Sequence, residues 1–403
     1  MKAWGSRLLS LALALGLCFG IDFLFGAIGE AYWSRLAFLA GLFVVLSVSL
    51  NIINGICGQF SIGHAAFYHI GAYVTGYLTV TFYAKFGVAS LPWLLMLIVV
   101  GAVAAGLVGF VVGLPSLKLR GDYLAIVTLG FGEIIRIITI NISEIGGAYG
   151  YEGITKIHPL WLVWFLAVCC IAVSRNLLKS AHGLSFLAIR EDEVAASAMG
   201  VNVTRTKVTA FVIGAMFAGA AGVLFAHHEG FITTENFKME ISFIILTMVV
   251  LGGTGSITGS TLAAIALFGI PEVLRGLKDG EGNPLMITAA AFVASMLAIV
   301  LVVAAIKRLT ARFHGTFAKK TGIIFAAIAA GFVAQLILSV GLRQIPALAE
   351  MQLEVSKLRM VIFAGTLIVV MLLRPQGVLA HHEFSWELVK KVLRINRPRE
   401  ASA

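Results

Sequence analysis

Asn51, Gln59, Ser61 and His64 fall within NIINGICGQFSIGHAAFYHIG (51–71), and Glu133 within LRGDYLAIVTLGFGEIIRI (119–137), in runs otherwise apolar enough for a membrane interior. Amides, a hydroxyl and an imidazole can exchange hydrogen bonds with a polar solute, and a carboxylate can hold a cation. Covalent catalysis is not the expectation. There is no HExxH, no paired intramembrane aspartate and no GxSxG turn, so nothing assembles a nucleophile, a base and an orienting group. Cys18, Cys57, Cys169 and Cys170 lie in or beside apolar runs without metal-ligand spacing, and read as small core residues. No metal site, catalytic residue or cofactor bound by this chain is expected.

Each polar group has a plainer reading beside the functional one. Four glycines and the polar groups of 51–71, Asn54 and His69 included, interrupt a helix; such a break at membrane depth is tolerated only inside protein or against a watery cavity. It lines a solute path, or it is a corner at the inner surface. His64 is a hydrogen-bonded structural residue or a proton relay. Glu133 and Arg136 are three apart, share a helix face and can pair, so they neutralise each other or touch a solute. Asp122 begins its helix and complements the dipole there.

The longest polar segment between apolar runs is SRNLLKSAHGLSFLAIREDEVAASAMGVNVTRTK (174–207). A short helix inside it has a charged start (Arg190, Glu191, Asp192, Glu193), a small-residue middle (Ala195, Ala196) and a stop at Gly200. It is a handle for a soluble partner, or an amphipathic helix lying on the inner leaflet. Its lack of large apolar residues favours the handle. Further on, VVLGGTGSITGSTLAA (249–264) joins two apolar runs. Gly252, Gly253 and Gly255 suit a tight turn, and Gly255 and Gly259 have the spacing of close helix packing. Without a P-loop lysine it is not a phosphate cradle.

The elements that must hold these groups are membrane helices. The chain has 403 residues, 59% hydrophobic and 12% charged, far from the composition of a soluble domain. No soluble basic patch for nucleic acid is available. A bilayer core of ~30 Å needs about 20 apolar residues per helix. Apolar runs fall near 8–26, 36–53, 61–83, 92–114, 122–141, 159–174, 207–226, 285–306, 322–343 and 358–373, and 237–273 divides into two at its glycines. The expectation is an all-α polytopic membrane protein of about 12 transmembrane helices in one bundle. Most lysines and arginines then fall on the side of both termini, which places the termini in the cytoplasm. Lys2, Arg7 and the apolar run after them also resemble a signal peptide. Ala215, Gly219 and Gly222 form a small-residue ladder for tight packing.

GQFSIGHAAFYHIGAY (58–73), RGDYLAIVTLGFGEIIR (120–136), IREDEVAASAMGVN (189–202), VLGGTGSITGS (250–260), PEVLR (271–275) and LLRPQGVL (372–379) occur in that order. Together they resemble the permease subunits of branched-chain amino-acid ABC importers, the LivH/LivM-like family, and look closer to the LivM type. The resemblance implies a second, homologous permease, two cytoplasmic ATPase subunits that bind the ATP, a periplasmic substrate-binding protein, and a place in the bacterial inner membrane. It also implies that EVAASAMG (193–200) is the coupling segment that docks on an ATPase, with Arg190, Glu191, Glu193, Ala195, Ala196 and Gly200 as its residues. Related permeases take urea or short amides, and an ion-coupled secondary transporter is the reading from another class. The layout so implied is an N-terminal helix or signal anchor (1–35), a permease core (36–275) with the coupling loop 175–206, an inserted transmembrane hairpin (276–357), a last helix (358–380) and a basic cytoplasmic tail (381–403). About ten helices are family-like and two are added by the insertion.

Overall fold

A computed structural model of the chain describes residues 15–27, 29, 31–86, 91–114, 119, 121–157, 160–276, 286–288, 297, 335, 338, 352–354 and 365. The chain divides into two compact units, 1–265 with 379–403, and 266–378.

The first unit is helical. After α1 (Leu15–Ala27) come α2 (Ala31–Asn51), α3 (His64–Phe86), α4 (Leu91–Gly113), α5 (Asp122–Ile140), α6 (Leu160–Leu178), α7 (Ala181–Glu191), α8 (Glu193–Ala198), α9 (Val203–Glu229), α10 (Met239–Gly252) and α11 (Ile257–Gly276), the last running into the second unit. Among the described residues, five helices are long and apolar enough to cross a bilayer: Ala31–Ile56, Leu91–Gly113, Asp122–Ile140, Leu160–Leu178 and Val203–Glu229. α10, at 14 residues, extends only ~21 Å. The protein is therefore a helical, multi-pass membrane protein.

Small residues set the packing. α9 lies against α4, α3 and α2, and α6 packs on α2. A side chain at Gly219 would meet Ala105 and the Gly101 carbonyl of α4; one at Gly222 would meet the Tyr68 carbonyl of α3. Backbones thus touch along the stripe of Ala215, Gly219 and Gly222. Lipid gives apolar helices no reason to associate by burial alone, so close dispersion contact along such stripes holds them together. Buried hydroxyls and imidazoles pair across helices, as in Thr79 Oγ1 to His227 Nε2 at 2.9 Å.

Two expectations change in detail. The close glycine pair joining α10 to α11 is Gly252 with Gly259, not Gly255 with Gly259: a Cβ on either would strike the other's backbone. Gly253 (φ +112°) and Gly255 (φ +91°) make the turn itself, in a region that L side chains rarely adopt. In the second unit, Met286–Thr288 and Gln352–Glu354 form β1 and β2, paired antiparallel with Ile287 opposite Leu353. The run 285–306 therefore does not begin as a helix; Pro284 precedes it and Ile287 and Thr288 are β-branched, which favours extended backbone. Apart from this ladder and single residues, the inserted spans 285–306 and 322–343, the last helix 358–380 and the tail 381–403 lie outside the described residues.

Candidate functional site

The segment 175–206 folds as an elbow. α7 starts on the Ser180 hydroxyl, which accepts from Gly183 N at 3.1 Å, and stops where Asp192 turns extended. Asp192 then caps α8, its carboxylate accepting from Val194 N at 2.8 Å and Ala195 N at 3.0 Å. Gly200, at φ +85°, ends α8 in a Schellman closure: its N–H reaches Ser197 O and the Val201 N–H reaches Ala196 O, both at 3.0 Å. Asn202 caps α9 through Arg205 N at 2.9 Å. Ala196 is buried, whereas Ala195 is exposed. Val194 and Met199 are exposed beside it, at 61% and 85%, and Leu184 on α7 at 66%. This apolar tip was missed in the sequence, where the helix reads as lacking large apolar groups.

Both charged ends of the elbow are tied to the bundle. Glu193 pairs with Lys207 of α9 at 2.8 Å, and the lysine side chain is 1% exposed. Arg190 pairs with the exposed Glu191 at 2.7 Å and donates through Nη1 to the Gly55 carbonyl at 3.3 Å. Gly58 (φ +73°) lies against the Arg190 backbone and stem so closely that a Cβ would meet Cγ at 2.8 Å. Phe186 of α7 packs with Ile52, Ile56, Cys57 and Ala210.

Gly55 belongs to a π-helical turn, Ile52–Ile56, that ends α2. Such turns are uncommon and gather at functional sites. Asn51 just before it accepts from Gly255 N at 2.8 Å and donates to Ser256 O at 3.1 Å. Both ends of this amide are thus taken by the α10–α11 turn, and Asn51 serves as a clamp there rather than as a lining group. Asn54 clasps Ser61 in both directions, at 3.0 and 3.1 Å, and Gln59 donates to Cys57 O at 3.4 Å. The π turn therefore contacts the elbow on one side and the glycine turn on the other.

Beyond the π turn the chain re-enters the protein. His64, which starts α3, shares a 2.8 Å hydrogen bond with Ser49. Ser49 lies seven positions before Ile56, so α3 begins ~10 Å back from the end of the α2 helix. Ser61 Oγ and His64 Nδ1 are buried without a hydrogen-bond partner among the described residues. A cleft lies beside this start, lined by Gly63 and Ala66 of the α3 end, Leu129 and Glu133 of α5, and Phe237 and Met239. Glu133 Oε1 accepts from Arg136 Nε at 2.9 Å and from its Nη2, with side chains 35% and 20% exposed. Of the expected path residues, the structure brings Glu133 and the backbone next to Ser61 and His64 to one cleft, and sends Asn51 elsewhere.

A family model described as "Branched-chain amino acid transport system / permease component" matches residues 32–304. The chain belongs to this family. The match takes in the broken segment, the elbow and the glycine turn, and ends inside the run 285–306. Among relatives, the chain is 36% identical over 279 residues to the high-affinity branched-chain amino acid transport system permease protein LivM of Salmonella typhimurium, covering 60% of this chain and 64% of that protein. The corresponding LivM of Escherichia coli K12 is 37% identical over the same shares. The LivH permease of Escherichia coli K12 is 26% identical over 266 residues, 59% of this chain and 82% of that protein. The chain thus spans 64% of the length of the two LivM relatives. No solved structure matches it.

Proposed function

We propose that this chain is the membrane-spanning permease subunit of an ATP-driven importer for branched-chain or related amino acids, in the bacterial inner membrane with both termini cytoplasmic. The observation that carries this reading is the family match across 32–304, which encloses a capped, exposed elbow wired to a broken helix. In this reading a cytoplasmic ATPase grips the tip formed by Val194, Ala195 and Met199. A second, LivH-like permease completes the path, a second ATPase serves that permease, and a periplasmic binding protein delivers the solute. ATP is bound and hydrolysed on the partners. Movement of the elbow is passed through Arg190 to Gly55 and through Asn51 to the glycine turn, so that the partner's stroke shifts the bundle between two packings. Glu133, the ionisable group an ion-coupled transporter would use, is held by Arg136, which weakens that alternative.

The deciding experiment is reconstitution of the whole complex in proteoliposomes. Leucine uptake should require ATP and survive collapse of proton and sodium gradients. Uptake that follows the gradients without ATP overturns the proposal. Met199→Asp should cut coupled uptake, since a charge replaces the exposed apolar tip, while the permease still extracts as a folded protein; normal uptake in that variant removes the docking role.

A further inference from the structure

The turn between α9 and α10 folds back into the bundle at the end away from the elbow. α9 starts at the elbow and runs 27 residues, so Gly230 lies ~40 Å from that start. Gly230 (φ +73°) turns the chain, and Ile232 exchanges two backbone hydrogen bonds with Tyr151 of the loop after α5, at 2.7 and 3.1 Å. A single 3-10 turn, Thr234–Phe237, then leads into α10 and packs on α3 and α5. Its Phe237 is 4% exposed. The ring lies 4.8 Å from His69 and 4.9 Å from Tyr68, centre to centre, with Tyr73 and Phe225 at 5.9 and 6.0 Å. Among these rings, His69 Nε2 and Tyr73 Oη are buried with no hydrogen-bond partner among the described residues. Unpaired polar atoms are a cost that a purely apolar core avoids, and access to water removes it. Charges hold the turn from outside. Glu235 and Lys238 pair on either side of Phe237, and Glu133 and Arg136 pair on α5. The Glu235 charge acts on Arg136 and that of Lys238 on Glu133, so opposite signs face each other across the seam. Part-exposed ion pairs are weak holds, readily exchanged for water.

We propose that the segment 230–238 is the outer gate of the permease, with Phe237 as its plug and His69 and Tyr73 as polar groups of the passage it closes. The gate rests on the importer reading, in which the elbow meets the ATPase and this turn faces the side from which solute arrives. In the packing of this structure the ring seals the bundle and leaves the two polar groups unpaired. Withdrawing the ring exposes its apolar surface but hydrates His69 and Tyr73, so the two effects oppose each other. The closed and open packings are thereby kept close in free energy, and a partner needs to shift only that balance. α9 is the lever between them, with the elbow at one end and Gly230 at the other.

The test places a thiol under the plug, as Tyr73→Cys, in the complete complex in proteoliposomes, with the wild-type chain as background for its native cysteines. A membrane-impermeant maleimide is added outside. ATP with vanadate enclosed in the vesicles arrests only complexes whose elbow faces the lumen, and these present the gate to the reagent. Labelling follows the open fraction, so its rate should differ about tenfold or more between nucleotide-free and arrested complexes. Adding Phe237→Ala should abolish the protection in both states. Phe225→Ala, which takes a ring of the same cluster from α9 and leaves the plug in place, should keep it. Should Phe237→Ala fail to assemble, the comparison of nucleotide states with Phe237 intact decides alone. Equal labelling in both nucleotide states, or equal labelling of the two alanine variants, overturns the gate and leaves the importer standing. If the unmodified complex takes up no amino acid with ATP, the importer reading fails and the gate with it.

Discussion

Glu193 and Lys207 illustrate how a residue chosen for one task carries another. The sequence reading assigns Glu193 to an ATPase contact, and the structure pairs it with a lysine almost wholly removed from solvent. Taking away one partner of a buried pair strands the other charge, at a cost of about 3–5 kcal/mol. Glu193→Gln should therefore lower the melting temperature of the detergent-solubilised protein, and the double change Glu193→Leu, Lys207→Met should restore most of it. A loss of uptake in Glu193→Gln with unchanged melting would instead assign the residue to coupling alone. Asn51 makes a similar point. Asn51→Ala removes two hydrogen bonds and leaves Gly255 N and Ser256 O to find others, about 1–3 kcal/mol. Chymotrypsin cleavage after Leu251, beside the turn, should rise in that variant, and an unchanged cleavage pattern would show that the turn does not depend on the clamp.

At the level of elements, α8 is six residues long and could not persist by helix propensity alone. Its ends hold it, through the Asp192 cap, the Gly200 closure and the ion pair. Asp192→Ala should cost about 1 kcal/mol. Its effect should appear as faster hydrogen exchange at Val194 and Ala195, with α9 unaffected. The stripe on α9 obeys a different rule, close approach rather than capping. Gly219→Leu would force α9 away from α4, because the added atoms would run into Ala105 Cβ and the backbone of Gly101. The expected result is a chain that inserts but does not extract as a monodisperse protein, and a well-folded variant would overturn the packing argument.

Orientation belongs to the whole molecule. Tyr149, 94% exposed in the loop after α5, and Val194, on the elbow, are separated by one membrane helix, α6. If the elbow faces the cytoplasm, a membrane-impermeant thiol reagent should label Tyr149→Cys in intact cells and Val194→Cys only after permeabilisation. The reverse pattern would invert the topology and remove the ATPase from the proposal.

Hydropathy and charge, which are properties of short windows, were enough to identify a multi-pass helical protein, the positions of most described helices, the polar elbow and the glycine turn. Hydrophobicity and turn chemistry act locally, so they are readable without knowing any neighbour. Tertiary structure alone decided what the polar groups do. Arg190 meets Gly55 across 135 positions and Asn51 meets Gly255 across 204. It was also tertiary packing that turned Ala196 inward and left Val194 and Met199 at the tip, set α3 back inside the bundle, and placed Glu133 across a cleft from its first turn. Such pairings depend on which helices come together, and no spacing along the chain encodes a partner that distant.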